Sequence, residues 1–212
     1  MMQPFLIGLT GEIGVGKSTV ARALAELGAE IVVGDELGRS ALEESLAILT
    51  RIRERFGGEV FATDGSLNRR ALGKRVFSAA EDARWLTELT FPGIHALWRE
   101  QVSRSRTDVL VLDAALIFEW GIEREFDLIV LVSADSESVL HRIERSGRLS
   151  RQEIQSRVAA QLSADVKRQK ADIVLTNNGT FAELQHSVRE LWQARIEPEI
   201  QRRRKQRDDT LR

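Results

Sequence analysis

The chain has no cysteine and no tyrosine, and only three prolines and two methionines among its 212 residues. The missing thiols exclude disulfides and every metal site built on thiolate, so stability must come from an apolar core. No apolar run approaches the roughly 20 residues that a membrane-spanning helix requires. Neither sign of charge is in excess: 31 Lys and Arg stand against 32 Asp and Glu, a net of −1, which argues against a generally basic nucleic-acid binder. Met1-Met2-Gln3-Pro4 leads directly into an apolar stretch, with neither the basic flank nor the cleavage site of an export leader. The expectation is a cytoplasmic protein that contacts neither membrane nor nucleic acid. The length, with 42% hydrophobic and 30% charged residues, suits one globular domain with a sizeable insertion.

What is present is concentrated near the N-terminus. Gly11-Glu12-Ile13-Gly14-Val15-Gly16-Lys17-Ser18-Thr19 follows the apolar run Phe5 to Leu9 and precedes the helical pattern Val20 to Leu27. This is the spacing of a phosphate-binding P-loop, in the strand-then-helix context that the motif requires. The glycines let backbone N–H groups approach phosphate oxygens, and Lys17 brings a mobile positive charge to the terminal phosphates. Ser18 offers a hydroxyl to Mg²⁺. The helix starting near Lys17 aims its partial positive end at the same anion. ATP with Mg²⁺ is the implied ligand.

Four further apolar runs, Ala29 to Val33, Asp108 to Leu112, Asp127 to Val132 and Asp172 to Leu175, suit strands covered on both faces. Helical periodicity lies between and after them, at 37–56, 67–77, 80–104, 136–145, 150–162 and 181–204. The alternation predicts an α/β fold with a five-stranded parallel sheet between helical layers. About seventy residues separate the second strand from the third, far more than a crossover needs. They keep helical spacing, so 36–107 reads as a helical insertion able to receive a second substrate. A second excursion, 142–170, carries Arg142, Arg145, Arg148, Arg151, Arg157, Lys167, Arg168 and Lys170, and reads as a cationic lid.

Phosphoryl transfer also needs a carboxylate to receive or orient the acceptor hydroxyl, and open parallel sheets place ligands beyond their strand ends. Asp35 follows the second strand at the entrance to the insertion and is assigned as that base, against the alternative of a helix cap. Asp113 ends the third strand and is assigned to Mg²⁺ or substrate contact, against a turn aspartate. Glu119, Glu123 and Glu125 read as solvated, and Trp120 as a packing residue. His95, His141 and His186 read as ordinary surface or boundary residues, and Arg202 to Lys205 as the solvated end of a long helix.

Taken together, these residues resemble the dephospho-CoA kinase family. The likeness runs from Ile7 to Gly11 and Gly14 to Val20, through Gly34 to Arg39, Phe56-Gly57, Asp64 to Arg69, Leu72 and Val76-Phe77. It continues with Asp113 and Leu116 to Glu119, then Arg142, Arg145, Gly147, Leu149-Ser150, Arg157 and Gln161, and ends with Ala171 to Val174 and Asn177 to Gly179. The resemblance implies a P-loop sheet core, a helical CoA-binding part and a lid, and transfer of phosphate from ATP to the ribose 3′-hydroxyl of dephospho-CoA. It further implies Asp35 as the activating aspartate, Arg145 as a lid arginine on the transferring phosphate, Arg69 near dephospho-CoA, and Asn178 with Gly179 near the adenine of ATP. The chain departs from the family pattern at Glu12, Val33, Phe91 and Ala115, which stand where glycine, an acidic residue, histidine and proline are usual.

Overall fold

The computed structural model describes residues 3–139, 142, 156 and 158–210. Five strands, β1 (Phe5–Thr10), β2 (Glu30–Val33), β3 (Val109–Asp113), β4 (Leu128–Ser133) and β5 (Ile173–Thr176), form one parallel sheet in the order β2-β3-β1-β4-β5. The chain passes from β1 outward to β2 and returns through β3 before crossing to β4. The carboxyl ends of β1 and β3 therefore lie at the switch in strand order, where such sheets open a crevice for ligands. Ile7, Leu9, Leu110, Val111, Leu112 and Val130 are completely buried, as continuous apolar strands must be when helices cover both faces.

Two layers flank the sheet. On one face α1 (Lys17–Glu26) packs Val20 and Leu24 against a core shared with Leu184, Val188 and Leu191 near the C-terminus. On the other, α2 (Gly34–Glu43) supplies Leu37 and Ala41. A third core lies within the long insertion, where Ile48, Ile52 and Phe56 of α3 (Leu46–Phe56) meet Leu72 and Val76 of α4 (Arg69–Val76). Helix α5 (Ala80–Arg104) joins the two: Ala83, Trp85, Leu86 and Leu89 belong to the insertion core, and Ile94, Leu97 and Trp98 to the sheet-side core. Pro92 falls at the changeover, where its missing N–H interrupts the helix ladder.

Two helical stretches differ from their expected extents. The pattern 37–56 is two helices, because the Ser45 side chain accepts from the Ile48 N–H at 3.3 Å and starts a new helix there. The stretch 181–204 divides into α7 (Phe181–Leu191) and α8 (Glu197–Thr210), with a π turn over Trp192–Ile196 between them; α6 (Ala164–Lys170) precedes β5. Buried positions run 184, 188, 191, 196 and 200, and the single five-residue step is the extra residue that a π turn absorbs. The basic run that follows is not merely solvated. Arg203 reaches the Pro4 carbonyl (3.1 Å) and Asp127 (2.6 Å), and Arg204 pairs with Asp108, so the last helix is fastened to the starts of β1, β4 and β3.

Candidate active site

The loop after β1 is built around absent side chains. Gly11, Gly14 and Gly16 have φ of 147°, 82° and 98°, a region that other residues enter only with strain. A Cβ on Gly11 would collide with the Val132 carbonyl, and one on Gly16 with the Asn177 side chain. Gly16 is also the N-cap of α1 and supplies no capping side chain, leaving that helix end open to an anion. Lys17 and Ser18 form the first turn. Val15 and Val20 anchor loop and helix in the core, while Ser18 is exposed and Thr19 half-buried.

Lys17 Nζ lies 2.9 Å from Asp113 Oδ1, with the two side chains 20% and 10% exposed. Asp113 is the last residue of β3, in register with Leu9 on one side and Val33 on the other. It is thus no turn aspartate but the partner of the loop lysine. Asp35 sits in the first turn of α2, whose N-cap is Val33 and has no side-chain cap bond, so the alternative of Asp35 as that cap is excluded. The elbow holding Asp35 presses close to the loop after β3, since a Cβ on Gly34 would lie 2.7 Å from Ala114 Cβ.

A cavity of about 530 Å³ lies between these elements. Gly11, Glu12, Ile13 and Lys17 line one side; Val33, Asp35 and Arg39 another; Asp113 to Leu116 and Trp120 a third. Arg69, Val76, Leu86, Thr87 and Thr90 close it from the insertion, and Ala160 and Gln161 from the segment before α6. Lys17, Asp35, Arg69 and Asp113 are therefore brought together. Arg69 also approaches Glu43 at 3.8 Å.

The remaining expected site residues lie elsewhere. Gly14, Val15, Gly16, Ser18 and Thr19 are not among the residues lining the cavity, and Val15 and Gly16 meet Asn177 just after β5. There Arg142 donates to the Asn177 carbonyl at 2.7 Å, and Asn178 Oδ1 accepts from the Asp135 N–H at 2.8 Å. Gly179 leaves room for the Glu183 carboxylate, which completes the capping box of α7 with Thr180. Those Thr180 hydrogen bonds hold the Glu183 carboxyl below its usual range. Arg145 lies outside the described residues, as do the other positions of 143–155 and position 157 of the expected lid.

Sequence reasoning quoted Asn177 within the run Asn177 to Gly179 but gave it no role. Its side chain is buried and donates to the Val15 carbonyl at 2.8 Å, tying the phosphate loop to the turn after β5. The signal was there, since an amide directly after an apolar strand must find a partner if buried. Glu119 was also misread as solvated. Its carboxylate is 13% exposed and lies 3.0 Å from Lys167, which is completely buried and so is no lid cation facing solvent. Arg168 and Lys170 are likewise engaged, with Ser133 and Glu123; the Lys170 hydrogen bond holds the Glu123 carboxyl below its usual range. Glu125 pairs with His95 at 2.6 Å, and His95 stacks on Phe91, which stacks on Trp120. Trp120 therefore both packs and forms cavity wall.

The sequence profile described as dephospho-CoA kinase matches residues 5–183. The chain belongs to the dephospho-CoA kinase family. It is similar to the dephospho-CoA kinase of Syntrophotalea carbinolica, 37% identical over 186 residues that cover 86% of this chain and 88% of that one. The dephospho-CoA kinase of Geobacter sulfurreducens is 35% identical over 90% of this chain and 98% of its own. Among solved structures, TT1252 from Thermus thermophilus superposes with a TM-score of 0.77 at 32% identity, covering 92% of this chain and all of that one. The fold is that of the P-loop kinases. As a member of the dephospho-CoA kinase family, the protein is a phosphotransferase that uses ATP, and it serves the last step of coenzyme A synthesis. Among the described residues no helix is long and apolar enough to cross a membrane.

Proposed function

We propose that this family member moves the terminal phosphoryl group of ATP to the ribose 3′-hydroxyl of dephospho-CoA inside the cavity between the glycine loop and the helical insertion, in the cytoplasm. The observation that carries this reading is that Lys17 and Asp35, from separate crossovers, line one cavity. The loop amides of Gly11 to Gly16 and the Lys17 ammonium hold the phosphate tail, and their charge opposes the charge that gathers on the transferring group. Asp35, not engaged in capping, accepts the proton of the 3′-hydroxyl as that oxygen attacks. Arg69 faces the phosphates of the acceptor, Arg142 binds ATP, and Arg145 acts on the transferring phosphate. Asn178 and Gly179 border the adenine, beside the Asn177 side chain that braces the loop.

Ser18 and Asp113 are the residues that would hold Mg²⁺. The donor set fits a hard cation, with an exposed hydroxyl next to Lys17 and a carboxylate presently occupied by that lysine. Such an ion would supply positive charge to offset that of the phosphates. The test is a coupled ADP-release assay with Mg-ATP and a panel of dephospho-CoA, adenosine, AMP and CMP. The reading requires dephospho-CoA to stand well above the others; equal turnover across the panel, or none above the acceptor-free rate, would refute it.

A further inference from the structure

Behind the cavity wall, the completely buried Lys167 ammonium has three oxygen partners, two that accept its hydrogen bonds and one ion-paired carboxylate. They are the Ala115 carbonyl at 2.7 Å, Gln161 Oε1 at 3.1 Å and Glu119 Oε1 at 3.0 Å. Glu119 Oε1 also accepts the Leu162 N–H at 2.8 Å, so the cluster ties the loop after β3 to the turn before α6. Ala115 and Gln161 both line the cavity. A buried ion pair is a poor way to gain stability, because desolvation offsets its attraction and apolar replacements do as well or better. What the ammonium does supply is direction. A cation accepts no hydrogen bond, so it holds the oxygen rather than the nitrogen of the Gln161 amide and turns the Nε2 donors toward other partners.

We propose that Gln161 binds the acceptor substrate, donating from Nε2 to one of its phosphate or carbonyl oxygens, and that Lys167 is the positioning residue that fixes this amide. The proposal rests on the reading that this cavity receives dephospho-CoA. A glutamine without such a tether would flip and present oxygen or nitrogen at random; here the orientation is set from behind by a group that never touches substrate.

The decisive variant is Gln161→Glu in the full chain. A carboxylate there still accepts from Lys167 and so preserves the packing, but it cannot donate. A structural role tolerates it, whereas the proposed role predicts a KM for dephospho-CoA raised about tenfold or more, with the KM for ATP within twofold of the parent. Gln161→Leu shows the same split. Because Lys167→Met alone leaves Glu119 buried and unpaired, Lys167 is tested as the pair Lys167→Met with Glu119→Leu. This double variant raises the acceptor KM, and adding Gln161→Leu to it raises it little further, as coupled residues require. Calorimetric titration of the Gln161→Glu protein with dephospho-CoA and with ADP, after the nucleotide site is filled with a non-hydrolysable ATP analogue, distinguishes the oxygen. Weakening of both ligands places it on a phosphate, and weakening of dephospho-CoA alone places it on the pantetheine arm. A parent that turns over while Gln161→Glu keeps its acceptor KM within twofold overturns this inference alone. A parent without dephospho-CoA turnover overturns the reading beneath it as well.

Discussion

Asp113→Asn should act in opposite directions on metal-free binding and on turnover. Lys17 is paired with Asp113, 2.9 Å away and largely out of water. ATP must take the lysine from that carboxylate. A hydrogen bond to a charged group is worth about 1.5–3 kcal/mol, or roughly ten- to a hundredfold in an equilibrium constant. Asparagine keeps part of that contact through its amide oxygen, and it removes a negative charge that repels the phosphates, so the net gain for metal-free ATP is about tenfold. With Mg²⁺ the same change removes a proposed ligand, and kcat should fall by about a hundredfold or more. Calorimetric titration of ATP in chelator, beside steady-state kinetics with Mg²⁺, reads both. An Asp113→Asn protein that binds metal-free ATP no better than the parent would refute the idea that the two groups hold each other in reserve.

Three further outcomes follow from particular contacts. Gly16→Ala, at φ 98° and against Asn177, should lower ATP affinity more than tenfold, whereas Gly28→Ala, at φ 107° with open space around it, should cost about 1 kcal/mol of stability and leave ATP titrations unchanged. Lys167→Met breaks a buried pair at a cost of about 3–5 kcal/mol, which lowers the melting temperature by about 6–20 °C, and adding Glu119→Leu should recover most of it by calorimetry. Hydrogen bonds from Arg202 and then Arg203 bring the Glu199 carboxyl down to about 2. Its folded value lies below its unfolded one, so this stability is present above the unfolded value and is lost as pH falls from about 4.5 toward about 2. In Glu199→Gln, denaturation midpoints across that window should lose part of their slope.

The parts of the fold that were legible are those where one local rule acts alone. Short continuous apolar runs such as Val109 to Leu112 suit buried strands, and the glycine loop carries its own strand and helix. The break at Ser45 was less plain, because Leu42, Leu46 and Leu49 continue a helical rhythm across it and only the capping oxygen marks the restart. The π turn was present in the 191-to-196 step, yet a step of five has meaning only once the buried face is known. Within the site, Lys17, Asp35 and Asp113 could be placed because strand ends converge by topology. Asn177 and the Lys167 cluster could not, since their partners Val15, Glu119, Ala115 and Gln161 lie on other elements and no short-range pattern links them. The charged runs at 167–170 and 202–205 misled for a related reason. A basic side chain on a helix is solvated by default, and only the tertiary fold reveals Asp108, Asp127 and Glu119 waiting opposite.

The proposed transfer requires Asp35 to take the acceptor's proton while Lys17 and the glycine loop hold ATP. The most direct measurement is kcat for Asp35→Asn with Mg-ATP and dephospho-CoA, paired with the affinity for Mg-ATP. Because Asp35 makes no cap bond and is exposed, its loss should cost the fold at most about 1 kcal/mol through the helix dipole. The predicted result is a kcat lower by about 10²–10⁴ with the Mg-ATP dissociation constant within twofold of the parent. A variant that phosphorylates dephospho-CoA at the parental rate would contradict it.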